Sequence, residues 1–287
     1  MRVFVVLVLM LAGSGLAQRE IWNPISGSYL PPVGEKPVSS CQIRLGAALS
    51  NYLSLDSGSW GEIGIDLEEL RLTPGLYKGT PWGEFGVQVP LKLYYGGFLD
   101  YALNVIHSAL NQPTSPPPPR TLLYLRDAAG DQRGIYTSAV GFGDPVLSWG
   151  GLASDGVWGR ISLALPLGDP NRFLGSGGFR FAIGMGWEND FWGFTGQLVV
   201  PLGQQPVFGD FGTRPSVGAR VWSWLPWSLP GKLELQASTS PMVVGGRFAS
   251  TTIALRYVWN EFFFSEDLTS ALLDVVFAAE PGWPCPW

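Results

Sequence analysis

The chain has 287 residues, of which 14% are charged and 13% aromatic, with 38 Gly and 13 Trp. A soluble domain with so few charges would need an unusually large covered core. The net charge of -5 is small for this length, so the composition indicates neither nucleic-acid binding nor electrostatic attachment to a membrane surface.

Residues 1–17 have the pattern of a secretory signal peptide. Arg2 is followed by an apolar run from Val3 to Leu11 and then by small residues up to Ala17. The apolar run is shorter than the roughly 20 residues that a membrane-spanning helix needs. Gln18 follows the predicted cleavage site, and a Cys there would have indicated a lipoprotein. We therefore expect export and cleavage near Ala17.

Residues 18–39 are rich in Pro, Gly and Ser and show no periodicity, so they are predicted to form an irregular N-terminal segment. Residues 40–287 show a different pattern, in which apolar residues occupy every second position of many short segments. The clearest segment runs from Phe85 to Tyr95, where Glu84, Gln88 and Lys92 lie between the apolar positions. Because side chains alternate across a β-strand, one face is apolar and the other polar.

This alternation predicts an all-β protein, a closed antiparallel transmembrane β-barrel of about 12 strands, because its outer face meets lipid and its inner face water. In the second segment Ile63, Ile65 and Leu67 form the apolar face, and the phase slips at Glu68 and Glu69, which indicates a β-bulge. The predicted strands cover 41–49, 62–72, 84–95, 139–150, 160–167, 179–188, 194–202, 217–221, 233–237, 253–257, 260–266 and 273–277.

The loops between these strands differ in length in a regular order. With the N-terminus periplasmic, the connections at 97–138, 168–178, 203–214 and 240–248 fall outside. The connections at 150–156, 188–191, 226–231 and 258–261 fall on the periplasmic side and are shorter, as bacterial barrels require.

The longest predicted outer loop, 97–138, contains a helix candidate over residues 98–111. Its apolar face includes Phe98, Tyr101 and Val105, and His107 lies on the same helix. The helix would either act as a lid on the lumen, lie at the membrane interface, or pack within the loop without binding a ligand. The segments 122–126 and 134–137 are predicted to form a small hairpin.

Many aromatic residues lie near the predicted strand ends, where aromatic girdles meet the headgroup region. The alternative is that some of them stack on a sugar or an aromatic substrate. The residues are Trp82, Tyr95, Trp149, Trp158, Trp187, Trp192, Trp222, Trp227, Tyr257 and Trp259.

Charged residues of both signs occupy the predicted inward positions in nearly equal numbers. In a narrow lumen they would pair and brace the wall, since an unpaired buried charge is costly; the alternative is a selective pore lined by both signs. The predicted lumen-lining residues are Arg44, Glu62, Asp66, Glu84, Lys92, Arg160, Arg180, Glu188, Arg220, Lys232, Glu234 and Arg256.

The sequence offers few residues for catalysis or for cofactors. His107 is the single histidine, and a lipid hydrolase would use it with a Ser, but Ser108 points elsewhere on the helix and no motif supplies an acid partner. One His, two distant Cys and scattered carboxylates have no metal-ligand spacing. We expect no enzyme activity, no cofactor and no nucleic-acid partner.

Cys41 and Cys285 lie at opposite ends of the mature chain. If the first and last strands close the barrel, both residues lie at its periplasmic end. We therefore predict a disulfide between them, in an oxidising compartment.

Several segments together resemble an uncharacterised bacterial family, a domain of unknown function interpreted as outer-membrane barrels. The segments are FLDYALNVIH (98–107), GFGDP (141–145), LPLGDPNRFLGSGGF (165–179), LRYVW (255–259) and FSEDL (264–268). The LPLGDP turn also resembles one in barrels implicated in uptake of aromatic or hydrophobic compounds. Bacterial barrels usually end on an aromatic residue, whereas here ten residues follow Phe277, the last residue of the strand pattern.

The sequence therefore predicts a monomeric outer-membrane barrel in a Gram-negative-type cell envelope, in contact with lipid and with the barrel-insertion machinery. Its function would be a narrow channel or uptake protein for small, hydrophobic solutes, or a structural role in the envelope. The alternatives are an outer-membrane lipid hydrolase using His107 and a Ser, and a soluble β-rich envelope protein.

Overall fold

Antiparallel β-strands make up most of the molecule, which confirms the predicted all-β class. The structure is a computed structural model. It describes residues 37, 39–59, 61–97, 105, 108, 121–154, 156–202, 211–225, 231–239, 242–244, 247–248, 251–259, 262–267, 275–279 and 282–285.

The two longest strands, β1 Cys41–Gly58 and β2 Gly61–Thr80, form an extended hairpin at the start of the sheet. A short 3-10 turn, Pro170–Arg172, lies between β9 and β10. The strands are β1 Cys41–Gly58, β2 Gly61–Thr80, β3 Gly83–Gln88, β4 Leu91–Tyr95, β5 Leu122–Asp127, β6 Gln132–Ile135, β7 Ala139–Phe142, β8 Val146–Ser154, β9 Val157–Ala164, β10 Phe179–Glu188, β11 Trp192–Leu202, β12 Phe211–Thr213, β13 Ser216–Trp224, β14 Lys232–Thr239, β15 Met242–Val244, β16 Arg247–Phe248, β17 Thr251–Trp259, β18 Phe262–Asp267, β19 Val275–Ala279 and β20 Gly282–Pro284.

One large sheet contains 17 of these strands. From β8 onward each strand pairs with the next in the order β8, β9, β10, β11, β13, β14, β17, β18 and β19. β19 pairs in turn with β1, where Phe277 lies opposite Leu49, and β20 also pairs with β1. β12, β15 and β16 form a separate three-stranded sheet.

Three segments pair along one side of β2, namely β3, β4 and β5. The predicted third strand, 84–95, is thus two strands, β3 and β4, separated at Val89 and Pro90, because a proline has no N–H for the ladder. β8, β7 and β6 pair in turn with β3, β4 and β5. The predicted hairpin at 122–137 is confirmed as β5 and β6, and it joins the large sheet through the pairing of β5 with β2.

The register between β1 and β2 is continuous, from Cys41 opposite Lys78 to Gly58 opposite Gly61. The predicted bulge at Glu68 and Glu69 is therefore wrong. The backbone of β2 alternates from end to end without a phase change. It is the polar and apolar residues that exchange faces along this strand. Ile63, for example, lies on the same face as Tyr77.

The large sheet has one exposed apolar face. Residues paired across neighbouring strands, such as Ile161, Ile183 and Leu198, put their side chains on this face, and each second residue along the strand lies on the other. The exposed apolar side chains of this face, the apolar belt, include Leu76, Phe85, Val87, Leu147, Trp149, Ile161, Phe179, Ile183, Met185, Phe194, Leu198, Val217, Val221, Leu233, Leu235, Leu255 and Tyr257.

The predicted disulfide joins Cys41, the first residue of β1, to Cys285, which directly follows β20. The backbone N–H of Cys285 also donates to the carbonyl oxygen of Cys41. The bond therefore ties the two ends of the sheet together across 244 positions of the sequence.

Removing this disulfide is expected to lower the free energy of unfolding by about 2–5 kcal/mol, because the unfolded chain gains the entropy of a very long loop. The measurement is denaturant unfolding in detergent of the parent and of Cys41→Ser, each with and without reductant. Reductant should shift the parent's midpoint and leave the variant's unchanged. Equal midpoints for the oxidised parent and the variant would contradict the expectation.

Within the described residues, no helix is long and apolar enough to cross a membrane. Val105 and Ser108 have helical backbone and are exposed. The remaining residues of the predicted helix 98–111 lie outside the described residues, so the helix and its role as a lid stay predictions.

Candidate functional site

The face opposite the apolar belt, the inner face, carries buried polar and charged side chains. Glu84 on β3 is followed by the belt residues Phe85 and Val87 at alternate positions, and Lys92 on β4 is buried between the half-buried Leu91 and Leu93. The predicted lumen-lining residues that are buried on this face are Arg44, Glu84, Lys92, Arg160, Arg180, Arg220 and Glu234.

Three further predicted residues lie at positions of the same face by register. Glu188, at the end of β10, is half-buried. Arg256 on β17 lies opposite Glu234, and Lys232 lies two positions before Glu234 on β14. The side chains of Lys232 and Arg256 lie outside the described residues.

Glu62 and Asp66 lie on the opposite face, contrary to the prediction that they line the lumen. The predicted bulge is absent, so their positions on β2 have the phase of the exposed residue Leu76. Glu62 accepts a hydrogen bond from the Tyr124 hydroxyl and forms an ion pair with Arg126. These residues belong to the end of the sheet beyond the apolar belt.

A buried ion pair joins β3 to β9 on the inner face. Arg160 Nη2 lies 2.6 Å from Glu84 Oε1, and Arg160 Nη1 donates to the Ser148 hydroxyl at 3.1 Å. Both charged side chains are almost fully buried. Each neutralises the charge of the other, and either charge alone would be costly to bury. This pair has the bracing role that the sequence predicted for lumenal charges.

Replacing Glu84 by Gln is expected to lower the free energy of unfolding by about 3–5 kcal/mol, because Arg160 stays buried and loses the carboxylate at 2.6 Å. The double variant Glu84→Gln with Arg160→Met should recover most of the loss, since the remaining charge is also removed. Denaturant unfolding in detergent of the parent, single and double variants measures this. A single variant as stable as the parent would contradict the bracing role.

Aromatic and amide groups extend the polar network toward Cys41. Arg44 lies over the Tyr77 ring, with 4.3 Å from its guanidinium carbon to the ring centroid, and its Nε donates to Gln42. The Gln88 amide donates to the Tyr77 hydroxyl. The inner face here is therefore a connected set of polar contacts.

One residue of the N-terminal segment lies against this network. Pro37 is buried, and a Cβ placed on Gly150 would lie 2.9 Å from Pro37 Cγ and 3.4 Å from Arg160 Nε. Gly150 lies opposite Glu84, on the inner face. Pro37 therefore occupies space beside the ion pair of Glu84 and Arg160.

A buried apolar cluster covers the inner face near the β1–β2 turn. Ile63, Ile65 and Leu67 were predicted to face lipid and lie in this cluster instead, because the strand has no bulge. The cluster consists of Tyr52, Ile63, Ile65, Leu67, Tyr94, Leu123, Leu125, Ile135, Ala139, Phe173 and Leu174.

Phe173 and Leu174 reach this cluster from the connection between β9 and β10, residues 165–178, which we call the inner loop. The Tyr94 hydroxyl donates to the Phe173 carbonyl at 2.9 Å. Phe173 has a left-handed backbone, with φ 54°, which is costly for a residue with a side chain. Packing and hydrogen bonding therefore hold the inner loop against the inner face.

Asp144, between β7 and β8, is the main polar anchor of the inner loop. Its carboxylate accepts hydrogen bonds from the backbone N–H of Gly168, from the N–H and hydroxyl of Ser176, and from Arg180 at 2.7 Å. The sequence prediction did not single out Asp144, because it lies outside the alternating segments. The signal available was its position in GFGDP, one of the motifs that carry the family resemblance.

Trp158 and Trp222 lie on the inner face, contrary to the prediction that they belong to aromatic girdles. They are 2% and 6% exposed and have the same phase as Arg160 and Arg220 on their strands. That shared phase was visible in the sequence. By contrast, Trp82, Trp149 and Trp192 are exposed, and the side chains of Trp227 and Trp259 lie outside the described residues.

The residues considered for catalysis are described only in part. His107 lies outside the described residues, so a hydrolytic pair that includes it stays a prediction. In the part of the chain that the structure describes, no group of three or more His, Cys, Asp or Glu side chains is placed to hold a metal ion.

No protein-family model and no curated protein matches the chain. Among solved structures it is similar to an outer-membrane channel from Pseudomonas putida F1, with 10% identity, TM-score 0.47, and coverage of 89% of this chain and 98% of the other. The toluene transporter TodX of P. putida has 12% identity, TM-score 0.44, and coverage of 92% and 94%. The Ralstonia pickettii toluene transporter TbuX has 10% identity, TM-score 0.37, and coverage of 85% and 90%. Every one of these TM-scores is below 0.5, so the similarities carry no conclusion about function.

Proposed function

We propose that the chain is a closed barrel in an outer membrane and acts as a narrow channel for small solutes. The observation that carries the proposal is the pair of opposite faces, an exposed apolar belt and a buried polar inner face, repeated along the large sheet. A water-soluble protein rarely exposes an apolar area of this kind, whereas lipid requires one.

The strand pairings support closure and a count of 12. β3, β4 and β5 pair with successive parts of β2 and so take the place of one long strand, here called a line of strand. β8, β7 and β6 pair with these three in turn and form the next line. With β1, β2, β9, β10, β11, β13, β14, β17, β18 and β19, this makes 12 lines, and the pairing of β19 with β1 returns to the start. A closed barrel has no unpaired edge, as lipid demands.

The contents of the inner face support a narrow passage. A barrel of this strand number lies between those filled by side chains and the open porins of 16–18 strands. The Glu84–Arg160 pair, Pro37 and the inner loop all occupy space on the inner face. The buried apolar cluster around Ile65 and Leu125 fills a further part of the inner face.

The predicted signal peptide, the monomeric state, the insertion machinery and the family resemblance remain parts of this proposal. Cleavage near Ala17 is expected from the sequence, as is recognition through Phe277 by the insertion machinery. Phe277 lies on β19, at the seam with β1.

Two measurements test the proposal. The folded protein should need detergent for solubility and should migrate differently on gels before and after heating; solubility without detergent would favour the soluble alternative.

Proteoliposomes should then take up small solutes and exclude large ones, and liposomes as tight as protein-free controls would favour a structural role. Hydrolase activity lost in His107→Ala would favour the enzyme.

A further inference from the structure

A row of inner-face residues crosses five strands, β9, β10, β11, β13 and β14. By register, Trp158 lies opposite Gly186, Gly186 opposite Thr195, Thr195 opposite Arg220, and Arg220 opposite Gln236. Directly paired residues have their side chains on the same face of a sheet. These five positions, here the Trp158–Gln236 row, therefore face the same space.

Four residues of this row have buried polar atoms without a hydrogen-bond partner. They are Trp158 Nε1, Thr195 Oγ1, Arg220 Nε and Gln236 Oε1. Each of the four residues is less than one-tenth exposed. Buried polar groups in native proteins are matched by protein, water or a bound ligand. A line of such atoms, both donors and acceptors, therefore offers hydrogen bonds to water or to a solute.

Arg220 differs from the other buried arginines of the inner face for which ion pairs are described. Arg160 and Arg180 pair with Glu84 and Asp144 at 2.6 and 2.7 Å. Arg220 instead has its guanidinium carbon 5.5 Å from the centroid of the Trp222 ring, and it forms no ion pair within the described part of the chain. A buried cation in this state attracts an anion.

Two indole rings of the inner face lie against glycines, and one of them, that of Trp222, is the ring beside Arg220. The Trp158 ring covers Gly186, and the Trp222 ring covers Gly193, so a Cβ at either glycine would overlap the indole. Trp222 lies opposite Glu234 on β14. Glu234 is two positions from Gln236, the residue opposite Arg220, and it lies opposite Arg256 on its other side. Arg220 thus has one indole, that of Trp222, beside its guanidinium, and Trp158 lies at the β9 end of the row.

We propose that the Trp158–Gln236 row binds the carboxylate of a small aromatic acid inside the barrel. Arg220 supplies the charge and the planar donors that match a carboxylate, Thr195 and Gln236 supply further polar contacts, and the Trp222 indole packs on the ring of the solute. The inference rests on the proposed channel function and specifies the chemical class of its solute.

Isothermal titration of the full-length folded protein in detergent tests the site, with benzoate as the probe and benzyl alcohol as its neutral counterpart. Benzoate is expected to bind at least about tenfold more tightly than benzyl alcohol, and Arg220→Gln to weaken benzoate binding about ten- to a hundredfold, because a charge-assisted contact is lost. Arg220→Lys should fall between the two, since the charge remains and the planar donors do not.

The matched control is Glu62→Gln with Arg126→Gln, which removes an ion pair on the opposite face of the sheet and should leave benzoate binding unchanged. Heat-dependent migration verifies that each variant is folded. Equal benzoate affinity in the parent and folded Arg220→Gln, or no benzoate binding by the parent, would overturn the site. A parent that binds benzoate but forms no solute path would overturn the channel and keep the site; a path without benzoate binding would do the reverse.

Discussion

Replacing Asp144 by Ala is expected to lower the free energy of unfolding by about 3–5 kcal/mol, because Arg180 loses its partner while both side chains are buried. Gly168 and Ser176 lose their acceptor as well, so the inner loop is released from the wall. The variant should therefore also conduct more current than the parent. Denaturant unfolding in detergent and conductance in planar bilayers measure the two effects.

The control for this variant lies in the same loop. Asp169 accepts a hydrogen bond from the backbone N–H of Asn171 but is exposed. Asp169→Ala should therefore cost only about 0.5–2 kcal/mol, the usual value for a lost cap, and should leave the conductance unchanged. If Asp144→Ala and Asp169→Ala have equal effects, Asp144 does not anchor the loop.

Placing an arginine in the apolar belt is expected to oppose membrane insertion. Ile183 is 48% exposed and lies between Ile161 and Leu198 on neighbouring strands. At the middle of a bilayer, Ile183→Arg should cost about 2–4 kcal/mol, since a charge would replace an apolar side chain in hydrocarbon. Reversible folding into lipid vesicles, followed by Trp fluorescence across a denaturant series, gives this free energy.

Leu167 provides a matched site outside the belt. It is 71% exposed and lies in the inner loop, so Leu167→Arg adds the same charge where water is available. This substitution should change the folding free energy by less than about 1 kcal/mol. Equal costs at Ile183 and Leu167 would show that the belt does not face lipid.

Local alternation was sufficient to predict the strands, because it depends only on which side chains a strand presents to each face. Ile183 and Arg180 were assigned to opposite faces by this argument, and the structure places them so. The disulfide between Cys41 and Cys285 followed from the same prediction, since closure brings the ends of the chain together.

The errors arose where a distant segment determines the environment. Ile65 and Leu67 face inward because the inner loop brings Phe173 and Leu174 to cover them, and nothing near β2 in the sequence indicates that contact. An apolar residue was therefore assigned to lipid, and a bulge was introduced at Glu68 to explain the charges.

The candidate site was predictable in its charges but not in its contacts. Arg160 and Arg220 have the same residue type and phase, and only the folded structure distinguishes a paired cation from one without a described counter-charge. Trp158 was assigned to a girdle because strand ends are the usual place for Trp. Its phase relative to Arg160 places it inside.

Conductance of the parent protein in planar bilayers is the most direct test of a narrow channel through a membrane barrel. We expect discrete current steps much smaller than those of open porins of 16–18 strands, because side chains and the inner loop occupy the inner face. A folded, inserted protein that gives no current steps would contradict the channel. Steps as large as those of an open porin would contradict the braced inner face.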